Sequence, residues 1–215
     1  MSTERERREH ILAVAERLLR HYGPQKTTIA EIARAADVGV GTVYLEFPSK
    51  EAIVEELSQG RHGAVLEAMR AGAEGTGSYS DRIRAVFDAR LAAFRKLEEE
   101  GAHARDLVHC MNSAVKSAHA RFKNEELALV AALIRSGASA GELVCVGGSP
   151  ESTARSILRA YSSFAPPYVF GVERHDLDRE LEAMHALVLE GLLNRDAPLA
   201  SMPAKRARKN TKEKK

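Results

Sequence analysis

The sequence predicts an all-α protein, on three observations. Apolar positions recur at intervals of three and four rather than two, β-branched residues are scattered instead of gathered into strand-length runs, and residues that start and stop helices punctuate the chain at helical spacing. At 215 residues, with 44% hydrophobic and 29% charged side chains, the composition is that of an ordinary globular chain, long enough for a small domain joined to a larger one. The longest uninterrupted apolar run, Leu127 to Ile134, falls far short of the ~20 residues that cross a bilayer. The opening stretch MSTERERREH lacks the apolar centre of a signal peptide, so a cytoplasmic chain with no membrane partner is expected. Two cysteines, Cys110 and Cys145, are too few for a disulfide framework and are expected as free thiols.

Each element follows from its own residues. Ile11, Leu12, Ala15, Leu18, Leu19 and Tyr22 make one stripe that Gly23-Pro24 stops, which predicts a first helix over about residues 4–21. Thr28-Ile-Ala-Glu31 has the form of a capping box, in which the threonine hydroxyl accepts from the Glu31 amide while the glutamate reaches back. It begins a short second helix ending near Ala35. Val40, Val43, Tyr44 and Phe47 space out a third, ended by Pro48. Ser49 caps a fourth carrying Ile53, Leu57, Ala64, Val65, Ala68 and Met69, and the glycine-rich run 71–77 closes it. Ile83 to Phe94 mark a fifth helix; Leu107, Val108 and Met111 a short sixth; Phe122 to Ile134 a seventh. Ser149-Pro150 reads as N-cap and first residue of an eighth, with Ile157, Leu158, Tyr161 and Phe164, ended by Pro166-Pro167. A last helix from about Asp176 buries Leu177, Leu181, Met184, Leu187, Val188 and Leu192.

Residues 27–50, TTIAEIARAADVGVGTVYLEFPSK, place two short helices around a glycine-containing turn, the pattern of a helix-turn-helix. Its second helix can enter a DNA major groove only if its outer face is small. Gly39, Gly41 and Thr42 are small, while Val43 and Phe47 anchor the helix from behind. Spacing alone permits a plain helical hairpin as readily.

Thr28-x-x-Glu-Ile-Ala33, the turn Ala36-x-Val38, then Gly41-Thr-x-Tyr44 and Phe47-Pro-Ser-Lys-Glu51 resemble the TetR family of bacterial transcriptional regulators. The resemblance is dense over about residues 8–57 and architectural beyond. It implies an N-terminal three-helix helix-turn-helix DNA-binding domain over residues 1–48, and a helical-bundle ligand-binding and dimerisation domain over 49–197. It further implies a homodimer on a palindromic double-stranded operator, acting as a repressor that a small-molecule effector releases, with no cofactor. Thr28 looks like the second-helix contact to a phosphate, Val40, Gly41 and Thr42 like the readers at the start of the recognition helix, with Gly39 before them at the helix start of the same DNA-binding set, and Tyr44 and Lys50 like backbone clamps. By the same resemblance the last two helices form the dimer interface, with Ile157, Leu158, Tyr161, Leu181, Met184, Val188 and Leu192 as its candidates. The chain departs from the pattern at Gly39, where a serine cap is common, at Asp37, where the turn usually has glycine, and at Leu45-Glu46, where a carboxylate would repel phosphate.

For the effector, Phe87, Phe94, Met111, Phe122, Tyr161 and Phe164 lie on stripes expected to surround a cavity, with Arg90 and His109 as polar members; the same spacing fits plain core. His103, His109, Cys110 and His119 lack the spacing of a tetrahedral metal site, so no metal is expected. Gly137-Ala-Ser139-Ala-Gly141 fits a serine nucleophile elbow in letters, but Ser139 follows a helical stripe instead of a strand. A helix C-cap at Gly137 and a flexible turn is the expectation, and no catalytic residue is assigned. The rival readings are a helical protein-interaction module without DNA activity and a small serine hydrolase using Ser139.

The net charge of +2 hides an uneven distribution. Residues 1–50 hold 8 Lys/Arg against 7 Asp/Glu, while residues 201–215 hold 7 against 1. The segment 198–215 is expected as a disordered basic tail, because it has almost no apolar surface to bury. Tail lysines and Arg5, Arg7 and Arg8 of the N-terminal arm are candidates for phosphate contacts; equally, neighbouring glutamates can pair the arm arginines along a solvated helix face.

Overall fold

The computed structural model describes residues 3–193; the expected basic tail lies outside them. Among the described residues the chain forms eight α-helices: α1 Glu4–Tyr22, α2 Ile29–Ala35, α3 Val40–Glu46, α4 Lys50–Ala73, α5 Tyr79–Glu98, α6 Ser113–Ser139, α7 Pro150–Ala160 and α8 Arg174–Leu192. Short 3-10 turns occupy Ala104–Leu107 and Tyr161–Phe164. Extended pairing among these residues is limited to an isolated bridge between Leu143 and Leu193.

Local chemistry starts most of these helices. Thr3, Thr28 and Ser78 each complete a capping box, with Glu6, Glu31 and Asp81 as the reciprocal acids. Ser49 accepts from the Ala52 amide at 3.1 Å, and Ser149 accepts from the Ser152 amide at 3.1 Å with Pro150 in the first turn. Each such cap satisfies an amide that no helical carbonyl can reach, typically worth about 1 kcal/mol.

Several sequence expectations change. The helix expected to run to Pro166-Pro167 ends at Ala160 and tightens into the 3-10 turn Tyr161–Phe164, and Leu187, expected buried, is 76% exposed because it lies on the outward side of α8. The expected sixth helix is the 3-10 turn Ala104–Leu107, because this segment is a connector that wraps beneath α1: the His103 amide donates to the Arg20 carbonyl at 3.0 Å, and Met111 is left 83% exposed. Gly72 belongs to α4 rather than to the loop after it. A Cβ there would stand 2.7 Å from the Ala85 carbonyl oxygen, so the glycine is where α4 and α5 pack backbone to backbone. Gly137 is no C-cap: α6 runs through it to Ser139, and Leu143 folds back over the space its side chain would fill.

Two apolar cores result, and α4 serves both. Ile11, Val14, Ala15 and Leu19 of α1, Ile32 and Ala33 of α2, Val43 and Phe47 pack against Ile53, Val54 and Leu57 in the first turns of α4. Farther along α4, Val65, Leu66 and Met69 join a larger core built with α5, α6, α7 and α8. The N-terminal packing unit therefore extends past residue 48 onto α4, and it also takes in Leu107, Ala114 and Val115. At about 1.5–3 kcal/mol for each buried large aliphatic side chain, these contacts outweigh the helix propensity of the seven-residue α2 and α3.

Candidate nucleic-acid interface

The geometry of the short helices begins with Thr28. Its hydroxyl oxygen accepts from the Glu31 amide at 3.3 Å and donates to the Glu31 carboxylate at 2.8 Å, while the Thr28 amide donates to the same carboxylate at 2.8 Å. These bonds hold the exposed Glu31 carboxyl below its ordinary range. Thr28 thus sits exposed at the start of α2, its hydroxyl engaged by Glu31. The α2–α3 turn closes through the Val38 amide on the Ala33 carbonyl at 3.0 Å, with Asp37 in the left-handed region at φ 54°. Aspartate is among the few L-residues that tolerate that conformation, which explains how it stands where the resemblance leads one to expect glycine.

Gly39 is the extended residue before α3 and supplies no side-chain cap. From there α3 turns Val43 and the following Phe47 inward, both buried, and turns Val40, Gly41, Tyr44 and Leu45 outward. Val40 is 44% exposed, Tyr44 53% and Leu45 82%, and Thr42 is half-buried beside them. A Cβ on Gly41 would meet nothing within 4 Å, so this face is open to close approach. Lys50 begins α4 and points its ammonium at the loop before α2, donating to the Pro24 carbonyl at 2.8 Å and the Thr27 carbonyl at 3.2 Å. All seven residues of the expected DNA site, from Thr28 to Lys50, lie on this module; Lys50 braces it from below as well.

The structure also shows a charge arrangement that spacing did not disclose. Glu46 makes an ion pair with Arg7 at 2.5 Å, and its side chain is only 4% exposed. Arg8 bonds both Glu56 oxygens, at 2.5 and 2.6 Å, and lies 4.4 Å over the Phe47 ring. Arg5 pairs with Glu9 at 2.8 Å. The three arm arginines are therefore each engaged by a carboxylate, two of them on distant elements, and Glu46 is neutralised instead of facing outward. Partners 39 and 48 residues apart leave no local signal in a sequence. A further ionic knot joins the two cores: Arg61 on α4 bonds Glu16 of α1 and Glu100 after α5.

The candidate effector residues divide. Phe87, Arg90, Phe94, Phe122, Tyr161 and Phe164 share the larger core, whereas His109 and Met111 lie on the surface of the connector. Phe87 stacks on Tyr161 with ring centroids 3.9 Å apart. Arg90 is buried; it donates to Glu126 at 2.7 Å and to the Tyr161 carbonyl at 2.8 Å, and its Nε has no partner. Burial is the main influence on this guanidinium and pushes its pKa down, against the opposing pull of Glu126. Beside Phe122 a cavity of about 100 Å³ opens between α4 and α6, lined in part by His62, Leu66 and Ala118. Sequence reasoning missed His62. It lies 5.0 Å from the Phe122 ring, donates from Nδ1 to the Ser58 carbonyl at 2.9 Å, and is pushed by burial down to about 4. Its place in the stripe between Leu57 and Val65 was the available signal.

Of the candidate dimer residues, Ile157, Leu158, Tyr161, Leu181 and Leu192 are buried within the chain itself, and Met184 and Val188 are half-buried. Leu187, on the outward side of α8, is 76% exposed, with Ala183 and Gly191 on the same side. Among the described residues no three His, Cys, Asp or Glu side chains converge as a metal site requires, and no helix is long and apolar enough to cross a membrane.

Comparison with known proteins agrees with this geometry. Residues 11–57 match the family described as bacterial regulatory proteins, tetR family. The chain is 33% identical over 96 residues to the HTH-type transcriptional repressor NemR of Escherichia coli K12, a stretch that covers 43% of this chain and 47% of NemR, about half of that relative's length. A solved structure from Shewanella sp. PV-4, ascribed to the tetR family of transcription regulators, is 26% identical with a TM-score of 0.62, covering 87% of this chain and 98% of its own. The transcriptional regulator FadR of Bacillus subtilis, solved in complex with stearoyl-CoA, shares the fold at 19% identity and a TM-score of 0.64, covering 85% of this chain and 98% of its own.

Proposed function

We propose, for a chain whose N-terminal module and overall fold belong to the TetR family of bacterial regulatory proteins, that it is a homodimeric, sequence-specific repressor of transcription released from a palindromic operator by a small-molecule effector. The observation that carries this reading is the outer face of α3: an open, small-residued surface held over a packed core by a closed turn, at the position where a recognition helix enters a major groove. Tyr44 is suited to a phosphate oxygen and fixes register, as does Thr28 once its hydroxyl hydrogen turns from the Glu31 carboxylate to the phosphate; Val40, Gly41 and Thr42 stand nearest the base edges. The outward side of α8 around Leu187 is the surface offered to a second copy, which a two-fold axis would pair with itself. The effector enters the core around Phe87, Phe94, Phe122 and Tyr161, and α4, common to both cores, transmits the change to α1–α3. Release requires that the effector bind the DNA-incompetent arrangement more tightly than the competent one. The activity is binding throughout, with no catalytic step.

Selection from a random DNA library at ~0.15 M salt tests this, since nonspecific attraction is largely screened there. Enrichment of a palindrome is the expected result. A purified, folded protein that enriches no site would overturn the reading and bring forward the protein-interaction module.

A further inference from the structure

The side chains available to α3 restrict what it can read. Bidentate recognition of guanine needs arginine or lysine, adenine needs asparagine or glutamine, and the cytosine amino group needs an acceptor such as glutamate; the thymine C5-methyl is the apolar feature of the major groove. From Val38 to Pro48 the chain has no Arg, Lys, Asn, Gln or Asp, and its one charged residue is Glu46. That carboxylate is 4% exposed and tied to Arg7, so it is turned away from an incoming base. What remains is apolar, small or hydroxyl-bearing: Val40, Gly41, the half-buried Thr42, Tyr44 and, the most exposed of the large side chains, Leu45.

An exposed leucine is common on protein surfaces, but this one has a specific setting. Residues four apart share a helix face, and one turn before Leu45 on that face stands Gly41, where even an added Cβ would meet nothing within 4 Å. Leu45 therefore projects from the same open face of α3 as Gly41, opposite the buried Val43, where a groove floor can approach. We infer, resting on the DNA-binding reading above, that α3 recognises its half-site through thymine methyl groups, and that Leu45 is a specificity-determining residue whose side chain covers one of them. The operator then carries an obligatory T·A pair at the position facing Leu45 in each half-site.

The test uses the full-length protein and the palindrome selected above. Each thymine of one half-site is replaced in turn by deoxyuridine, which removes only the methyl group, and affinity is read by fluorescence anisotropy. At one position the wild-type protein is expected to lose about four-fold, the worth of one methyl taken out of water, and about fifteen-fold when both half-sites are changed. Leu45→Ala, checked for unchanged helicity by circular dichroism, is expected to bind the thymine and deoxyuridine operators equally at that position while keeping the deoxyuridine sensitivity of any other. A palindrome whose every thymine tolerates deoxyuridine, or a Leu45→Ala protein that keeps the deoxyuridine penalty at every position where the wild type shows one, would overturn the inference and leave the DNA-binding reading standing. Failure to select any site would remove both.

Discussion

Replacing Glu126 by glutamine should cost the protein a large share of its stability. The carboxylate is buried and takes 2.7 Å hydrogen bonds from Arg90 Nη1 and from Lys123 Nζ. Glutamine keeps the shape and one acceptor oxygen but removes the negative charge. Arg90 would then stay in the core of α5, α6 and α7 as a cation with an amide and the Tyr161 carbonyl for partners, its Nε already without one. Stranding one member of a buried pair costs about 3–5 kcal/mol, against the ~5–15 kcal/mol that holds a typical domain folded. Lys123 is partly exposed and can turn to water, so its share of the loss is small. Equilibrium urea unfolding at pH 7, followed by helical circular dichroism, measures the loss as a lower midpoint at unchanged slope. The double variant Arg90→Met with Glu126→Leu should recover most of it, because the penalty lies in the uncompensated charge and not in lost packing. A Glu126→Gln protein within about 1 kcal/mol of wild type, or a double variant less stable than the single one, would refute this reasoning.

Gly72→Ala should destabilise by about 1–3 kcal/mol in the same assay, since the new methyl would meet the Ala85 backbone and force α4 and α5 apart. His62 makes stability depend on pH in a defined direction: its folded pKa of about 4 lies below the ordinary 6.5, so the unfolded chain binds a proton that the folded chain refuses between those values. The contribution is complete above about pH 6.5 and falls by ~3 kcal/mol as the pH drops to about 4; His62→Gln should flatten the midpoint-against-pH curve there by one proton. Leu187→Arg, at an exposed position that tolerates the change in fold, should give monomers by light scattering and weaken operator binding. A dimeric Leu187→Arg protein would place the interface elsewhere.

Short-range chemistry made much of the fold legible. The capping residues Thr28, Ser49 and Ser149 and the stops at Gly23-Pro24 and Pro48 act within one helical turn, so residue type alone locates those boundaries. The recognition segment was readable for the same reason: Val43 and Phe47 must face inward together, which leaves Val40, Gly41 and Tyr44 outside. Connectors and buried polar groups were less legible. Leu107, Val108 and Met111 have helical spacing, yet the hydrogen bond from His103 to Arg20 and the close passage of Gly101 beside Arg20 bend that stretch into a single 3-10 turn.

By itself, then, the sequence determined the helical class, the order of the main helices and the face that α3 presents, because periodicity and capping are local. Tertiary structure decided that Glu46 is silenced by Arg7, that α4 belongs to two cores, that Gly72 is a helix crossing, and that Arg90 and Glu126 share a buried pair. Each of these joins residues brought together only by folding, and a buried charge or a missing Cβ takes its meaning from the atoms opposite it.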